Sequence, residues 1–305
     1  MTLVRIVLLL LWSLCSCAPA LGAADKLRVT VVLSDSNALY QNFTNTFKQN
    51  LPANILVGVV DRAEDYSAAQ TADLVLTVGT RAADWVAGKT TTPLLATMIP
   101  KGKYADFLAK RPPGALTTAI YLDHSWARQA DLLRAALPER NRIGLLHSPS
   151  TRVDINELRK QLAKHGAVLV TKQTTGPNKL FEDLDEVLSR SDVLLALPDG
   201  EIYNSNNIRN ILLSSYNRSI PLVGFSQALV NAGALFALYS TPEQLAAQTS
   251  STVNSYAQLR RLPEPQHPIL FSISVNPEVA RTLGGSIKSA ELLRLEVDKL
   301  QRIAP

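Results

Sequence analysis

An aspartate directly after a buried strand is the first residue of this chain that could bind a ligand. The apolar run 193–197 is followed by Pro198 and Asp199, and such a run bounded by turn residues indicates a strand buried on both faces. A carboxylate at the end of that strand can hold an ammonium group through a charge-assisted hydrogen bond of about 1.5–3 kcal/mol. A helix N-cap is an equally good interpretation, since Asp is a preferred capping residue. The two roles can coexist.

A Gly-Thr turn elsewhere in the chain offers the opposite chemistry. Gly79 and Thr80 end the apolar run 74–78, and free N–H groups at a helix start bind anions. The Thr hydroxyl adds one donor, although simple capping explains the pair as well. An acid on one loop and an anion-binding turn on another would together suit a zwitterion.

Short polar side chains follow other apolar runs in both halves of the chain. They are Ser34, Ser36 and Asn37 in the first half, and Ser148 and Ser150 in the second. Ordinary turn chemistry explains any one of them about as well as ligand binding does. Four aromatic residues lie near the same positions and could either stack on a ligand or pack in the core: Tyr40, Trp85, Tyr203 and Phe225.

The sequence carries no pattern typical of an enzyme or a metal site. Its four histidines show no ligand spacing, and the neighbours Asp123, His124 and Ser125 cannot form a catalytic triad, so a helix start is the better interpretation. The stretch "VGTRAA" lacks the glycines and the lysine of a phosphate-binding loop. We therefore expect no catalysis, no cofactor and no metal.

The chain repeats its own pattern of elements, which indicates how these residues are positioned. Residues 26–51 and 141–166 each read as strand, polar loop and amphipathic helix. Residues 72–87 are echoed by 191–207, each read as an apolar strand followed by a turn and a helix start. Residues 92–101 are likewise echoed by 220–229. Alternating strands and helices predict βαβ units and parallel sheets, at whose carboxyl ends ligands bind.

Two matched sets of elements predict an α/β fold with two Rossmann-like lobes, each built on a parallel sheet, joined by a short hinge. We expect an N-terminal lobe of residues 25–120 plus 242–265 and a C-terminal lobe of residues 121–241 plus 266–305. A long helix over 241–262, a strand over 269–276 and two short terminal helices complete the prediction.

The first 24 residues are predicted to be a secretory signal peptide. Arg5 precedes an apolar run, 6–14, which is too short for a membrane span of about 20 residues. Cleavage near residues 22–24 is favoured. The alternative is lipid attachment at Cys17, because "LCSC" loosely resembles a lipobox. Both interpretations give an exported, periplasmic protein without disulfides, since Cys15 and Cys17 both lie in the leader.

The amino-acid composition limits the classes of molecule that the mature chain is expected to bind. The net charge of +5 falls to +4 without Arg5, and the basic residues form no cluster, which argues against nucleic-acid binding. A hydrophobic content of 46% can supply a core for the predicted two lobes. We expect a monomer that binds a small molecule.

With these residues in hand, the chain resembles the solute-binding proteins of ABC transporters with the type I periplasmic fold, in the branch with tryptophan- and phenylalanine-binding proteins. The matching stretches include "ADLVLTVGTRAA", "IPLVGFSQALVNAGAL" and "SISVNPEVARTLG". The resemblance implies two lobes closing on a solute, with Asp199 at its amino group and Thr80 near its carboxylate. The full set of expected ligand contacts is Ser34, Ser36, Asn37, Gly79, Thr80, Met98, Ser148, Ser150, Asp199, Tyr203 and Ser226.

The chain departs from the family pattern in two places. Ser148-Pro149 stands where the family often has Asn-Pro, and Tyr239 and Ser240 stand where an Asp-Tyr pair is usual. The expected function is delivery of a small organic solute, such as an amino acid, to an inner-membrane ABC permease. The alternative is an envelope protein of the same fold that regulates a partner protein. An occupied cleft would indicate the first, and an exposed apolar patch away from the cleft the second.

Overall fold

The computed structural model describes residues 26–67, 71–176 and 178–303. The predicted leader, with Cys15 and Cys17, lies outside the described residues. Among the described helices, none is both long enough and apolar enough to cross a membrane.

The first sheet has five parallel strands in the order β2-β1-β3-β4-β5. Its strands are β1 (Leu27–Leu33), β2 (Ile55–Val60), β3 (Leu74–Val78), β4 (Leu94–Ile99) and β5 (Thr117–Tyr121). The helices between them are α1 (Ala38–Gln49), α2 (Thr80–Val86) and α3 (Lys101–Ala109), with a 3₁₀ turn over Ala63–Asp65. All residues of β3 and β4 are buried, as expected for strands covered on both faces.

The second sheet has six strands in the order β11-β10-β9-β8-β6-β7, parallel except for the antiparallel pair β10–β11. Its strands are β6 (Arg142–His147), β7 (Val168–Gln173), β8 (Val193–Leu195), β9 (Leu222–Gly224), β10 (Phe236–Tyr239) and β11 (Ser272–Val275). The remaining helices are α4 (Trp126–Ala136), α5 (Ile155–Ala163), α6 (Leu180–Leu188), α7 (Ile208–Asn217), α8 (Gln227–Ala232), α9 (Pro242–Leu259), α10 (Pro277–Thr282) and α11 (Ala290–Ile303).

The long helix α9 follows the second sheet in sequence but packs on the first. Its Leu245 and Val253 share a buried cluster with Phe43 and Phe47 of α1. A capping box between Thr241 and Gln244 starts the helix. We call β1–β5, α1–α3 and α9 the first lobe, and β6–β11 with the other helices the second lobe. The chain therefore crosses between the lobes three times, at residues 122–125, 240–241 and 260–271, which we call the crossing segments.

The crossing segments bond to each other rather than running separately. Gln266 forms a parallel bridge with Ile120 of β5, its N–H donates to the carbonyl oxygen of Ala119 at 2.8 Å, and its own carbonyl accepts from Tyr121 at 2.8 Å. His267 Nδ1 lies 2.7 Å from the carbonyl oxygen of Asp123. Two of the crossing segments are thus hydrogen-bonded to each other, and one of them is also bonded to β5.

One predicted helix start is wrong. No helix follows Asp199 directly: the N–H groups of Ile202 and Tyr203 bond the Asp199 carbonyl in a single turn, and α7 begins only at Ile208. Asparagine-rich turns fill the interval, because Asn204 accepts N–H bonds from Asn206 and Asn207 and so competes with helix bonding. The loop after β8 is therefore longer and more irregular than its echo after β3.

Candidate functional site

A cavity of about 270 Å³ lies between the two lobes, beside the carboxyl ends of their strands. We call it the interlobe cavity. It is lined by Pro100, Lys101, Gly102, Ala105, Asp123, His124, Trp126, Thr151, Arg152, Val153, Asp154, Leu197, Pro198 and His267. Both lobes and two of the crossing segments contribute, which is where an open α/β sheet places a ligand.

The lobes touch at the mouth of this cavity. A guanidinium nitrogen of Arg152, in the loop after β6, lies 2.7 Å from a carboxylate oxygen of Asp106 on α3. Gly102 packs so closely on the same loop that an added Cβ would lie 2.5 Å from the carbonyl oxygen of Arg152. Real Cβ atoms do not approach backbone this closely, so the missing side chain permits the contact.

Asp199 is 1% exposed and holds two loops together. One carboxylate oxygen accepts the backbone N–H of Ser148 at 2.7 Å, and the other accepts the N–H of Glu201 at 3.1 Å. The hydroxyls of Ser148 and Ser150 lie 2.9 Å apart beside it. The predicted second-lobe residues therefore do come together, around a carboxylate that already bonds protein groups.

Tyr203 supplies a second polar group at the same place. Burial, together with the negative charge of Asp199, raises the pKa of its hydroxyl far above the usual value. That oxygen is buried without a hydrogen-bond partner, and its ring meets Phe225 edge-on at 6.2 Å between centroids. Buried hydroxyls in native proteins are usually hydrogen-bonded, so the Tyr203 hydroxyl keeps an unused capacity for a hydrogen bond.

In the first lobe, Ser34 and Gly79 pack together. The Ser34 hydroxyl oxygen accepts the N–H of Ala82 in the first turn of α2 at 2.9 Å. Gly79 has φ of +89°, and a Cβ there would lie 2.5 Å from the Ser34 hydroxyl and 2.7 Å from the Tyr40 hydroxyl. Glycine is required at this turn by both its backbone angle and its packing. Thr80 is the first residue of α2 and is partly exposed.

Met98 stands out by its backbone. It has φ of +57° at an irregularity in the pairing of β4 with β5, and its side chain is buried in the first-lobe core. A non-glycine residue in the left-handed region costs about 1–3 kcal/mol and is commonest near functional sites. The remaining candidates have capping or exposed positions: Asn37 caps α1, Ser226 caps α8, and Ser36 is exposed.

None of the eleven predicted contacts lines the interlobe cavity itself. The second-lobe candidates border it, since Thr151 follows Ser150 and Pro198 precedes Asp199. The cavity residues that the sequence reasoning missed come mainly from α3 and the crossing segments: Lys101, Asp123, His124, Trp126, Arg152, Asp154 and His267. The sequence predicts only a helix start at residues 123–125, and Ser125 does cap α4.

Burial shifts the pKa values of three side chains that line the interlobe cavity, Asp123, His124 and His267. Desolvation, with the charge of Arg128 and then His267 next in size, lowers the pKa of His124 to about 3. Burial likewise lowers the pKa of His267 and raises the pKa of Asp123. The Asp123 carboxylate accepts the backbone N–H of Lys101. Among the described residues, no group of three or more His, Cys, Asp or Glu side chains could hold a metal ion.

A second groove, of about 540 Å³, is larger but poorly placed for solute binding. It is lined only by α9 and the crossing segment after it, including the exposed Leu259 and Ile269. No strand end reaches it, so the ligand position typical of parallel α/β sheets belongs to the interlobe cavity.

Comparison with models of known protein families shows to which family this chain belongs. Residues 59–258 match the family model described as "ABC transporter substrate binding protein". The chain belongs to this family. Its members bind a small molecule and serve a transporter permease, and they are exported to the periplasm. A comparison with curated protein sequences gave no significant match.

Solved structures share the fold of this substrate-binding protein at low sequence identity. An ABC domain from Streptococcus pneumonia in complex with L-Trp has a TM-score of 0.64 at 18% identity, covering 89% of this chain and 98% of that one. A ligand-free, open substrate binding protein with adhesive properties from Clostridium difficile has a TM-score of 0.67 at 18% identity, covering 87% and 97%.

A third structure shows a different ligand in a similar fold. The solute binding protein from Agrobacterium vitis, bound with alpha-D-tagatopyranose, has a TM-score of 0.52 at 15% identity and covers 84% of this chain and 99% of that one. These similarities confirm the predicted two-lobe α/β architecture of type I periplasmic binding proteins.

Proposed function

We propose that this substrate-binding protein takes up an amino acid, or a close derivative of one, in the interlobe cavity and delivers it to an ABC permease. The observation that carries the proposal is the cavity itself, about 270 Å³ enclosed by both lobes and two crossing segments. That volume lies just below the range of about 300 to 1,000 Å³ that is usual for ligand pockets, and so suits a small solute.

The charges around the cavity favour a zwitterion. Lys101 lines the cavity on the first lobe, and the Gly79–Thr80 turn lies on the same lobe outside the lining. Asp199 lies on the second lobe, directly after the lining residue Pro198. We propose that the ligand carboxylate faces Lys101 and the Gly79–Thr80 turn, and that the ligand ammonium faces Asp199. A carboxylate has about four lone-pair sites, of which Ser148 and Glu201 occupy two. Because Asp199 is 1% exposed, the loop after β6 must shift for the ammonium to reach it.

Support for the amino-acid class comes from the L-Trp complex of a protein with the same fold. Sugar complexes also occur among similar folds, so the class depends on this chain's own residues. Trp126, Leu197 and Pro198 give the cavity apolar walls for a side chain, while Lys101, Arg152 and Asp154 provide charges of both signs at its rim. One apolar face and paired charges fit an amino acid better than an uncharged sugar.

The cellular placement is proposed with the function. We propose that residues 1–24 direct export, with cleavage near 22–24 or lipid attachment at Cys17, and that the mature protein works as a monomer in the periplasm. In both cases the cleft would be available to a solute before the protein meets its permease.

Thermal unfolding of the mature protein against amino acids, small peptides and sugars tests the proposal. A ligand at 100 times its Kd stabilises by about 2.7 kcal/mol, and each kcal/mol moves Tm by roughly 2–4 °C in a domain of this size. A rise of about 5 °C or more with amino acids alone is the expected result. A rise with sugars alone would contradict the proposed solute class.

A further inference from the structure

The interlobe cavity continues inward into a smaller space of about 40 Å³, which we call the inner chamber. Five residues line both spaces, so the two are adjacent: Asp123, His124, Trp126, Leu197 and Pro198. The inner chamber adds Leu122, Gln129, Ala196, Phe225 and Leu238. Apart from Gln129, these added walls are apolar or aromatic.

Gln129, on α4, brings an unsatisfied donor to this chamber. Its side-chain amide nitrogen is buried and has no hydrogen-bond partner. A buried N–H group that lacks an acceptor has given up its hydrogen bond to water without gaining another, which destabilises the folded protein. The amide would recover that loss if a bound molecule brought an acceptor into the chamber.

The titratable side chains that line the chamber, His124 and Asp123, are already paired within the protein. Arg128 Nη1 donates to His124 Nδ1 at 3.1 Å, and His124 Nε2 lies 3.3 Å from the Ser240 hydroxyl, which itself donates to the Leu270 carbonyl at 2.6 Å. This chain of bonds fits a neutral imidazole protonated at Nε2. The Asp123 carboxylate accepts the Lys101 N–H. A carboxylate inserted here would meet the Asp123 carboxylate and no Lys or Arg side chain, so the chamber favours an uncharged acceptor over an anionic one.

We propose that the inner chamber is a specificity pocket in which Gln129 selects solutes ending in an uncharged hydrogen-bond acceptor, such as a hydroxyl or a carboxamide oxygen. This inference rests on the proposed function and names the solute class more narrowly. A water needs about 10–15 Å³ on the scale used for the chamber volume. The chamber of about 40 Å³ therefore has room for about three or four waters, or for one small terminal group.

The test compares two variants of the mature protein, Gln129→Met and Gln173→Met. Methionine keeps the length and removes the donor. Gln173 is exposed at the end of the edge strand β7, lines neither the interlobe cavity nor the inner chamber, and provides the control. Calorimetric titration uses three pairs of probes that differ mainly by an acceptor: L-leucine with L-asparagine, L-valine with L-threonine, and L-phenylalanine with L-tyrosine. Tm without ligand is recorded for each protein.

The wild type and Gln173→Met should bind the polar member of at least one pair about tenfold more tightly, and Gln129→Met should lose that preference. A preference that survives in Gln129→Met, or tighter binding of the apolar members by the wild type, would overturn the inference while leaving amino-acid binding intact.

Binding of none of the probes would count against the proposed amino-acid class, and Tm then decides the role of Gln129. Removal of an unpaired buried donor should raise Tm by about 2–4 °C relative to Gln173→Met. A lower Tm in Gln129→Met would show that the amide already has a partner and would overturn the inference.

Discussion

Arg152 of the second lobe and Asp106 of the first are joined by an ion pair of 2.7 Å across the mouth of the interlobe cavity. The pair is half-exposed, and such surface pairs contribute about 0–1 kcal/mol. Its significance is positional: together with the close contact of Gly102 on the Arg152 backbone, it joins the lobes at the mouth of the interlobe cavity. We regard this contact as the point where lobe closure is set.

Gly102→Ala should hold the lobes apart. The new Cβ would lie 2.5 Å from the Arg152 carbonyl oxygen, so the loop or the whole lobe must move. We expect a larger radius of gyration in solution scattering and a loss of solute affinity of about tenfold, since 1.4 kcal/mol corresponds to that factor. Gly58→Ala is the control, because a Cβ there meets no atom within 4 Å. Identical scattering from both variants would refute this role for Gly102.

Asp199→Ala separates a loop-holding role from a ligand-binding role. Loss of its bonds to the N–H groups of Ser148 and Glu201 should lower stability by about 1–3 kcal/mol, and loss of the ammonium partner should weaken amino-acid binding tenfold or more. Asp192→Ala is the matched control. Asp192 accepts the Arg142 N–H at 3.0 Å, at the opposite end of β8.

The Asp192→Ala variant should lose stability and keep its affinity, as measured by thermal unfolding and calorimetry. If Asp199→Ala also kept its affinity, Asp199 would only hold its loops, and the ammonium would need a different partner in the cleft.

His124 should make the protein less stable in mild acid. Burial lowers its folded-state pKa to about 3, while the unfolded value is about 6.5. The unfolded chain therefore binds the proton first, and stability falls as pH drops from about 6.5 towards 3. The slope approaches 1.4 kcal/mol per pH unit well below pH 6.5. The free energy of unfolding, measured by denaturant titration between pH 7 and 5, should fall less steeply with decreasing pH in His124→Gln, and the part that arises from the lowered pKa of His267 should remain.

His165→Gln is the control for this titration, because His165 contacts Asp131 and not the crossing segments. It should retain the acid sensitivity of the wild type. Equal acid sensitivity in His124→Gln and the wild type would assign the effect to other groups.

The two-sheet architecture could be predicted from the sequence because the patterns that indicate its strands are local and occur twice in the chain. Runs such as 74–78 and 193–197 are short, apolar and bounded by turn residues, and each is a buried strand or contains one. The internal repeats then imply two similar sheets. The strand predicted over 269–276 is present as β11, but its antiparallel pairing with β10 and the long loop after Asp199 were not predicted, because both depend on contacts outside their own segments.

The site was harder to predict because its walls come from distant parts of the chain. His267 contacts Asp123 although 144 residues separate them in sequence, and Lys101 and Arg152 face one cavity from opposite lobes. Polar residues next to strands could be found by pattern, as Ser148 and Asp199 were. No local sequence pattern shows which residues of the crossing segments will lie next to these strand ends in the folded protein.

Ala105→Trp tests most directly whether the solute occupies the interlobe cavity. Ala105 lines the cavity and is exposed on α3, so an indole there fills the space without disturbing the core. Ala109→Trp, exposed one helical turn further along α3, is the control. Calorimetric titration with the amino acid that most raises Tm should show at least a tenfold loss of affinity for Ala105→Trp alone. Undiminished binding by Ala105→Trp would place the solute elsewhere and contradict the account.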